Sequence, residues 1–361
     1  MTLTVTKDNI FPKGYRGRLT EGVTYDERNN TLLWVDIIQA EVHRVFLDNI
    51  ETDPNSNSSN SSSCHEILKW DSSDESIGAI CLTNNPNKLI ICSKYGIAYG
   101  DFSNFTIEYF FKYPHTNNIK EKLRLRSNDG IIDPWGNLWI GIMNDFSIGE
   151  NEGIQPEGKL YRISIDHNNN NNNNNNNHDH DQLICDVMIE NSLISNGLCF
   201  NNKGDEFYWT DSLTFKIWKF NYDKLTNKLI NKSIFIDLKQ FYPNIEQPEP
   251  DGLIMTNNGE IYTCVFNSGT ILHVDNQGKE IERINIPANR PTCITFGNGE
   301  KNNEMFITTG HLQLNDKNVI IDNNINDNDD NNDDDLGGFL FKLKFDKNLN
   351  GQKKNIWGGK V

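Results

Sequence analysis

The chain has 361 residues, with 34 Lys and Arg against 50 Asp and Glu, a formal net charge of −16. No basic stripe is available to neutralise phosphates, which argues against nucleic-acid binding, and the apolar runs are too short to span a bilayer. Eight aspartates and a single lysine fall within residues 316–335, so the rest of the chain is only mildly acidic.

Residues 1–7 lack the charged and apolar regions of a secretory signal, so a cytosolic protein is expected. From there on, a Gly or Asn turn followed by an apolar run recurs six times, at 29–36 (NNTLLWVD), 87–93 (NKLIICS), 136–143 (GNLWIGIM), 205–211 (DEFYWTD), 259–266 (GEIYTCVF) and 303–310 (NEMFITTG). Each is followed by a further strand pattern, at 41–48, 96–102, 158–166, 215–223, 269–275 and 338–346. Helical periodicity is absent, and the strands alternate with turn signals throughout. An uneven repeat of this kind, running from end to end, predicts an all-β six-bladed β-propeller forming one domain over 1–361.

Three segments interrupt the repeat, at about 52–63 (Ser/Asn-rich), 167–181 (an asparagine run with a His-Asp flank) and 315–335 (Asn/Asp-rich). Such compositions bury little apolar surface and read as disordered loop insertions. The seven cysteines show no C-x-x-C spacing, and Cys81, Cys92, Cys199, Cys264 and Cys293 sit inside apolar strands as expected buried free thiols. Trp34, Trp139, Trp209 and Trp218 read as core between blades rather than as a stacking platform.

In a propeller the first strand of each repeat lines the central channel. Five of these strands start at a glycine preceded by polar residues: Glu21–Gly22, Ser76–Ile77–Gly78, Asn128–Asp129–Gly130, Ser195–Asn196–Gly197 and Asp251–Gly252; the sixth starts near Thr292, after Arg290–Pro291. Second-strand ends bring Asp36, Ser93, Asn144, Asp211, Asn267 and His311 to the same face. The mouth then gathers Glu21, Asn128, Asp129, Asn196, Asp211 and Asp251, a hard-oxygen set suited to Ca²⁺, Mg²⁺ or Mn²⁺, with Zn²⁺ also open. Blades 1 and 4 oppose each other in a six-fold ring, so Glu21, Asn196 and Asp211 could close on one cation at the axis. Asp or Asn before Gly is also ordinary turn chemistry, and that reading stands beside the functional one for Asp129 and Asp251. Asp36 reads as a turn former and His311 as a rim residue.

Four segments resemble the SMP-30/gluconolactonase/regucalcin family, in the family's order: LTEGVTYDERNNTLLWVDI (19–37), RSNDGIIDPWGNLWIGIM (126–143), ISNGLCFNNKGDEFYWTDSLTFKIWKFNYD (194–223) and EPDGLIMTNNGEIYTCVFNSGTI (249–271). The resemblance implies a six-bladed propeller that opens sugar lactones with one divalent cation. It implies Glu21, Asn196 and Asp211 as metal ligands, with Asp211 also taking a proton from the attacking water. Arg126 and Asn128, with Asp129 beside them, would contact the substrate. A monomer acting on a small-molecule lactone is implied, the alternative being a calcium-binding regulatory propeller without catalysis. The chain departs from the family pattern at Gly22–Val23–Thr24–Tyr25 and at Asn144–Asp145–Phe146.

Overall fold

A computed structural model describes residues 3–48, 65–166, 182–314 and 335–361. The insertions expected at 52–63 and 167–181, and all of the third except Asp335, lie outside the described residues. The rest forms six antiparallel sheets, and the chain passes outward from an inner strand to an outer one within each. The inner strands are Thr20–Asp26, Ile77–Leu82, Leu125–Ile132, Ser195–Phe200, Glu249–Met255 and Pro291–Gly297, taken here as starting blades 1 to 6. Each inner strand packs against the next, and the first packs against the last, so the ring closes. This is the six-bladed β-propeller expected from the repeat.

Two features were not visible as repeats. Blades 1 to 5 carry a fourth, outer strand, such as Leu183–Ser192 in blade 3 and Lys228–Asp237 in blade 4. Among the described residues blade 6 has three strands, and the N-terminal segment completes its outside: Phe11 N–H donates to Leu340 O at 2.9 Å and Gly17 N–H to Gly338 O at 2.8 Å. Residues Leu3–Thr4 instead add a parallel strand to the edge of blade 5.

Second strands such as Leu138–Asn144 are buried along their whole length because both faces pack on neighbouring blades. Trp34, Trp139 and Trp209 are fully buried between blades, whereas Trp218 is only partly covered at the edge of its cluster. The thiols of Cys81, Cys92, Cys199, Cys264 and Cys293 are buried and free. No helix among the described residues is long and apolar enough to cross a membrane.

Every inner strand has a register shift near its start, between Glu21 and Thr24, Ile77 and Ala79, Ser127 and Gly130, Asn196 and Leu198, Pro250 and Leu253, and Pro291 and Ile294. A bulge leaves an extra residue unpaired and re-aims its neighbours. Six bulges at one level of a channel therefore turn a ring of side chains toward the axis. At Gly22 the backbone adopts φ +57, a conformation glycine takes without steric cost. At Gly197 a β-carbon would collide with the Asp251 carbonyl of the next blade, so the glycine lets two inner strands close up.

Candidate active site

A cavity of about 340 Å³ opens at the mouth where the inner strands begin. Its floor holds Glu21, Asn196 and Asp251, each 6% exposed, contributed by blades 1, 4 and 5 at matching positions just before or at the bulge. Arg126 and Asn128 of blade 3 form one wall. The Arg126 guanidinium donates to Ser127 O at 2.8 Å and to Asn128 Oδ1 at 2.9 Å, and Asn128 Nδ2 donates to Ser195 O at 3.1 Å. These bonds fix both side chains before any ligand arrives.

Electrostatics mark the floor. Burial raises Glu21 from an ordinary 4.5 to about 8; the Asp129 charge adds to this, while its own Gly22 N–H, Arg126 and Asp251 oppose it. Burial also raises Asp251 well above the carboxylate range, and the charges of Glu21, Asp129 and Glu249 reinforce it. Burial depresses Arg126 to about 10 against the pull of Asp145, Glu21 and Asp251. Among the described residues, Asp251 Oδ1 is buried without any hydrogen-bond partner. Two carboxyls forced together out of water must either hold protons or face a cation.

Asp211 does not join them. It ends the second strand of blade 4, and its Oδ1 accepts from Ile194 N–H at 2.9 Å and Leu193 N–H at 3.2 Å. Asp36 does the same in blade 1, where its Oδ2 accepts from Arg18 N–H at 2.7 Å. Both aspartates tie down the loop that enters an inner strand, and the charge acting on Asp211 is that of Lys232, with no carboxylate of the floor. The residue that stands with Glu21 and Asn196 is Asp251, which corrects the placement expected for Asp211. Its signal was present in sequence: Asp251–Gly252 occupies the same repeat position as Glu21–Gly22 and Asn196–Gly197.

Asp129 is also displaced from the expected wall. Asn128 faces the upper cavity, but Asp129 lines a second cavity on the other side of the bulge. There burial raises its pKa to about 6, with Lys354 as the opposing charge. The short helix Phe146–Glu152, capped by Asp145, adds Phe146, Gly149 and Glu150 to the upper cavity. Seven residues are too few for a periodic signal, so this element was missed. Glu249 and Arg290, also in the lining, carried no motif of their own. His311 Nδ1 accepts from Gln313 N–H at 3.1 Å, a local rim contact.

No group of three or more His, Cys, Asp or Glu side chains among the described residues is arranged to hold a metal. Glu21, Asn196 and Asp251 are two carboxylates and an amide, a different set. They fit a hard divalent cation because they offer only oxygen ligands, one of them an orphaned buried acceptor. Ca²⁺, Mg²⁺ and Mn²⁺ suit such donors best, and Zn²⁺ accepts them.

The SMP-30/Gluconolactonase/LRE-like region matches residues 19–311, and the chain belongs to that family. The chain is 77% identical to the Cell growth-regulated gene 1 protein of Candida albicans over 361 residues, covering 100% of both. A Bacillus subtilis relative, provisionally named a sugar lactone lactonase, is 27% identical over 312 residues, 86% of this chain and 89% of its own. Among solved structures, a calcium-binding regucalcin of Agrobacterium tumefaciens superposes with a TM-score of 0.73 at 19% identity, covering 99% of each chain.

Proposed function

We propose that the protein is a lactonase that hydrolyses a sugar lactone of the gluconolactone kind to its aldonic acid, aided by one divalent cation. The observation that carries this is the Asp251 carboxylate, whose buried Oδ1 has no hydrogen-bond partner among the described residues, beside Glu21 at the floor of a cavity whose wall is the pre-set Arg126–Asn128 pair. Gluconolactonase and lactonase names among relatives support the same class. The protein is taken to work as a cytosolic monomer on a small molecule.

Glu21, Asn196 and Asp251 would hold the cation, which when bound supplies a Lewis acid for the lactone carbonyl. Arg126 and Asn128 orient the ring through its hydroxyls, and their fixed geometry limits the ordering cost on binding. Water oxygen adds to the carbonyl carbon while Asp251 accepts the water proton. The ring C–O bond then breaks, and Asp251 returns that proton to the departing ring oxygen, leaving a hydroxy acid. General-base help of this kind is worth about 10²–10⁴ in rate. Phe146 and Leu19 add apolar surface to the lining of the cavity.

A pH-indicator assay of gluconolactone opening tests the reading. Opening that exceeds the spontaneous rate, stops on chelation and returns with Ca²⁺, Mn²⁺ or Zn²⁺ is expected. A folded Asp251→Asn variant that keeps full cation-dependent turnover would sink it. Similarity to a calcium-binding regucalcin favours one second reading, a calcium-binding propeller without catalysis. Tight Ca²⁺ binding with no lactone opened would select it.

A further inference from the structure

A second arginine faces the same cavity. Arg290 leads the inner strand of blade 6, Arg126 lies in that of blade 3, and these blades oppose each other across the ring. Each guanidinium lies over an aromatic ring that also lines the cavity, Arg126 at 4.3 Å from the Phe146 centroid and Arg290 at 5.4 Å from that of Phe266. Arg290 is anchored from behind by neutral carbonyls, donating to His311 O at 3.0 Å and Leu312 O at 2.8 Å. Both arginines leave a buried Nε–H without an acceptor among the described residues.

Arginine is seldom buried without a carboxylate partner, yet neither the buried Arg126 nor the half-buried Arg290 forms an ion pair among the described residues. Two acids act on Arg290 by charge, Asp335 before Glu249; Asp335 instead accepts from Asn289 N–H at 2.6 Å and Gly337 N–H at 2.7 Å, and Glu249 from Asn267 Nδ2 at 3.1 Å. Two guanidiniums on opposite walls exceed what a neutral ring needs, since Arg126 with Asn128 already supplies donors for hydroxyls. A planar fork is suited to an oxyanion. A cavity of about 340 Å³ accommodates a six-carbon lactone with one charged substituent.

Resting on the lactonase reading, we infer that the substrate is an anionic lactone, bearing a carboxylate or phosphate away from the scissile ester, and that Arg290 receives this group. Arg126 keeps the ring in place while Arg290 selects among rings.

The test measures kcat/KM of the full-length protein, loaded with its activating cation, on δ-gluconolactone, 6-phosphogluconolactone and glucarolactone. A charged lactone is expected to be preferred by tenfold or more, and the two charged arms separate phosphate from carboxylate. In Arg290→Gln the ratio of charged to neutral kcat/KM should fall about 10- to 100-fold, the range for a lost charge-assisted hydrogen bond. Glu249→Gln removes the cavity-lining one of the two carboxylates whose charge acts on Arg290 and should raise the same ratio. This second variant leaves the loop contacts of Arg290 intact. No preference in the wild type, or a ratio unmoved in both variants, overturns the assignment. If the wild type opens no lactone, the lactonase reading falls by itself. Calorimetry with glucose, glucose 6-phosphate and glucuronate then decides the anion site: tighter binding of a charged ring, lost in Arg290→Gln, supports it, and equal binding of all three overturns it.

Discussion

The two ends of the channel are built from the same six inner strands and differ in how their carboxylates are satisfied. Above the bulges, Glu21 and Asp251 share the floor with Asn196, and Asp251 Oδ1 has no hydrogen-bond partner among the described residues. Below them lies a cavity of about 390 Å³ walled by Val23, Ile80, Leu82, Leu198 and Leu253. The C-terminal residues Gln352, Lys353, Lys354 and Asn355 line that lower space, and Lys354 brings its positive charge to bear on Asp129. Below, the chain answers its own buried charge; above, it leaves one open. An unanswered buried acceptor marks a ligand site, whereas an answered one marks structure. The bulge decides which a residue becomes, since Asn128 and Asp129 are adjacent in sequence and face opposite cavities.

The largest effect expected is on Asp251. Asp251→Asn should lower lactone opening by about 10²–10⁴, the range for a lost general base. Asp211→Asn should leave turnover per folded molecule within a few-fold, because its carboxylate is spent on Leu193 and Ile194 N–H groups. Its cost is stability, about 1–3 kcal/mol for buried donors left unpaired, read as a lower urea midpoint. The reverse order of effects would return the proton acceptor to Asp211.

At the lower end, Trp357 of the C-terminal segment is buried against Ile132 and Leu138, and its backbone N–H donates to Leu82 O at 2.9 Å. Trp357→Ala should cost about 3–5 kcal/mol of stability, the range for emptying a buried aromatic position. The KM for lactone should hold at a temperature where the variant is folded. A KM that rises with the loss of this side chain would mean that the two ends are not independent.

Next comes the response to pH of the cation-free protein. Glu21 holds its proton up to about pH 8 in the folded state and releases it near 4.5 when ordinary. Between those values the folded state binds more protons than the unfolded one, so stability falls as pH rises and levels off above about 8. The raised Asp251 adds in the same direction. A cation that lets both carboxyls ionise should flatten this slope, as seen in urea midpoints measured with and without Ca²⁺. A metal-independent slope would count against Glu21 and Asp251 as a cation-holding pair.

The ring itself was legible in sequence because each second strand packs on both faces and reads as an apolar run after a turn. The outer strands were not: Leu183–Ser192 and Lys228–Asp237 are mostly half-exposed, with Val187 and Ile234 facing solvent, so no apolar period betrays them. At the floor, Glu21 and Asn196 stood out and Asp251 shared their repeat position, but an aspartate before glycine equally suits a turn. Asp211 drew attention as a strand-end carboxylate, although Asp36 already showed what that position does. Arg290 precedes a proline and resembles nothing in sequence. Only closure of the ring carries it to the wall opposite Arg126.

The smallest effect expected is at Lys354, and it probes the comparison most finely. Its ammonium lowers the pKa of Asp129, which burial holds at about 6. Lys354→Met removes that charge while keeping the length of the side chain, so Asp129 should move further up, by less than about one unit for a pair partly screened by solvent. Carboxyl titration followed by NMR on Asp129 measures this directly. A neutral Asp129 no longer pushes Glu21 upward, so Glu21 should move slightly down around neutral pH, the Asp129 charge being the second cause of its elevation. Lactone opening should change by less than about threefold, because a shift of half a unit corresponds to about 0.7 kcal/mol. A large loss of turnover without unfolding would show that the lower charge pair sets the protonation of the floor, and the two ends would then be one electrostatic unit.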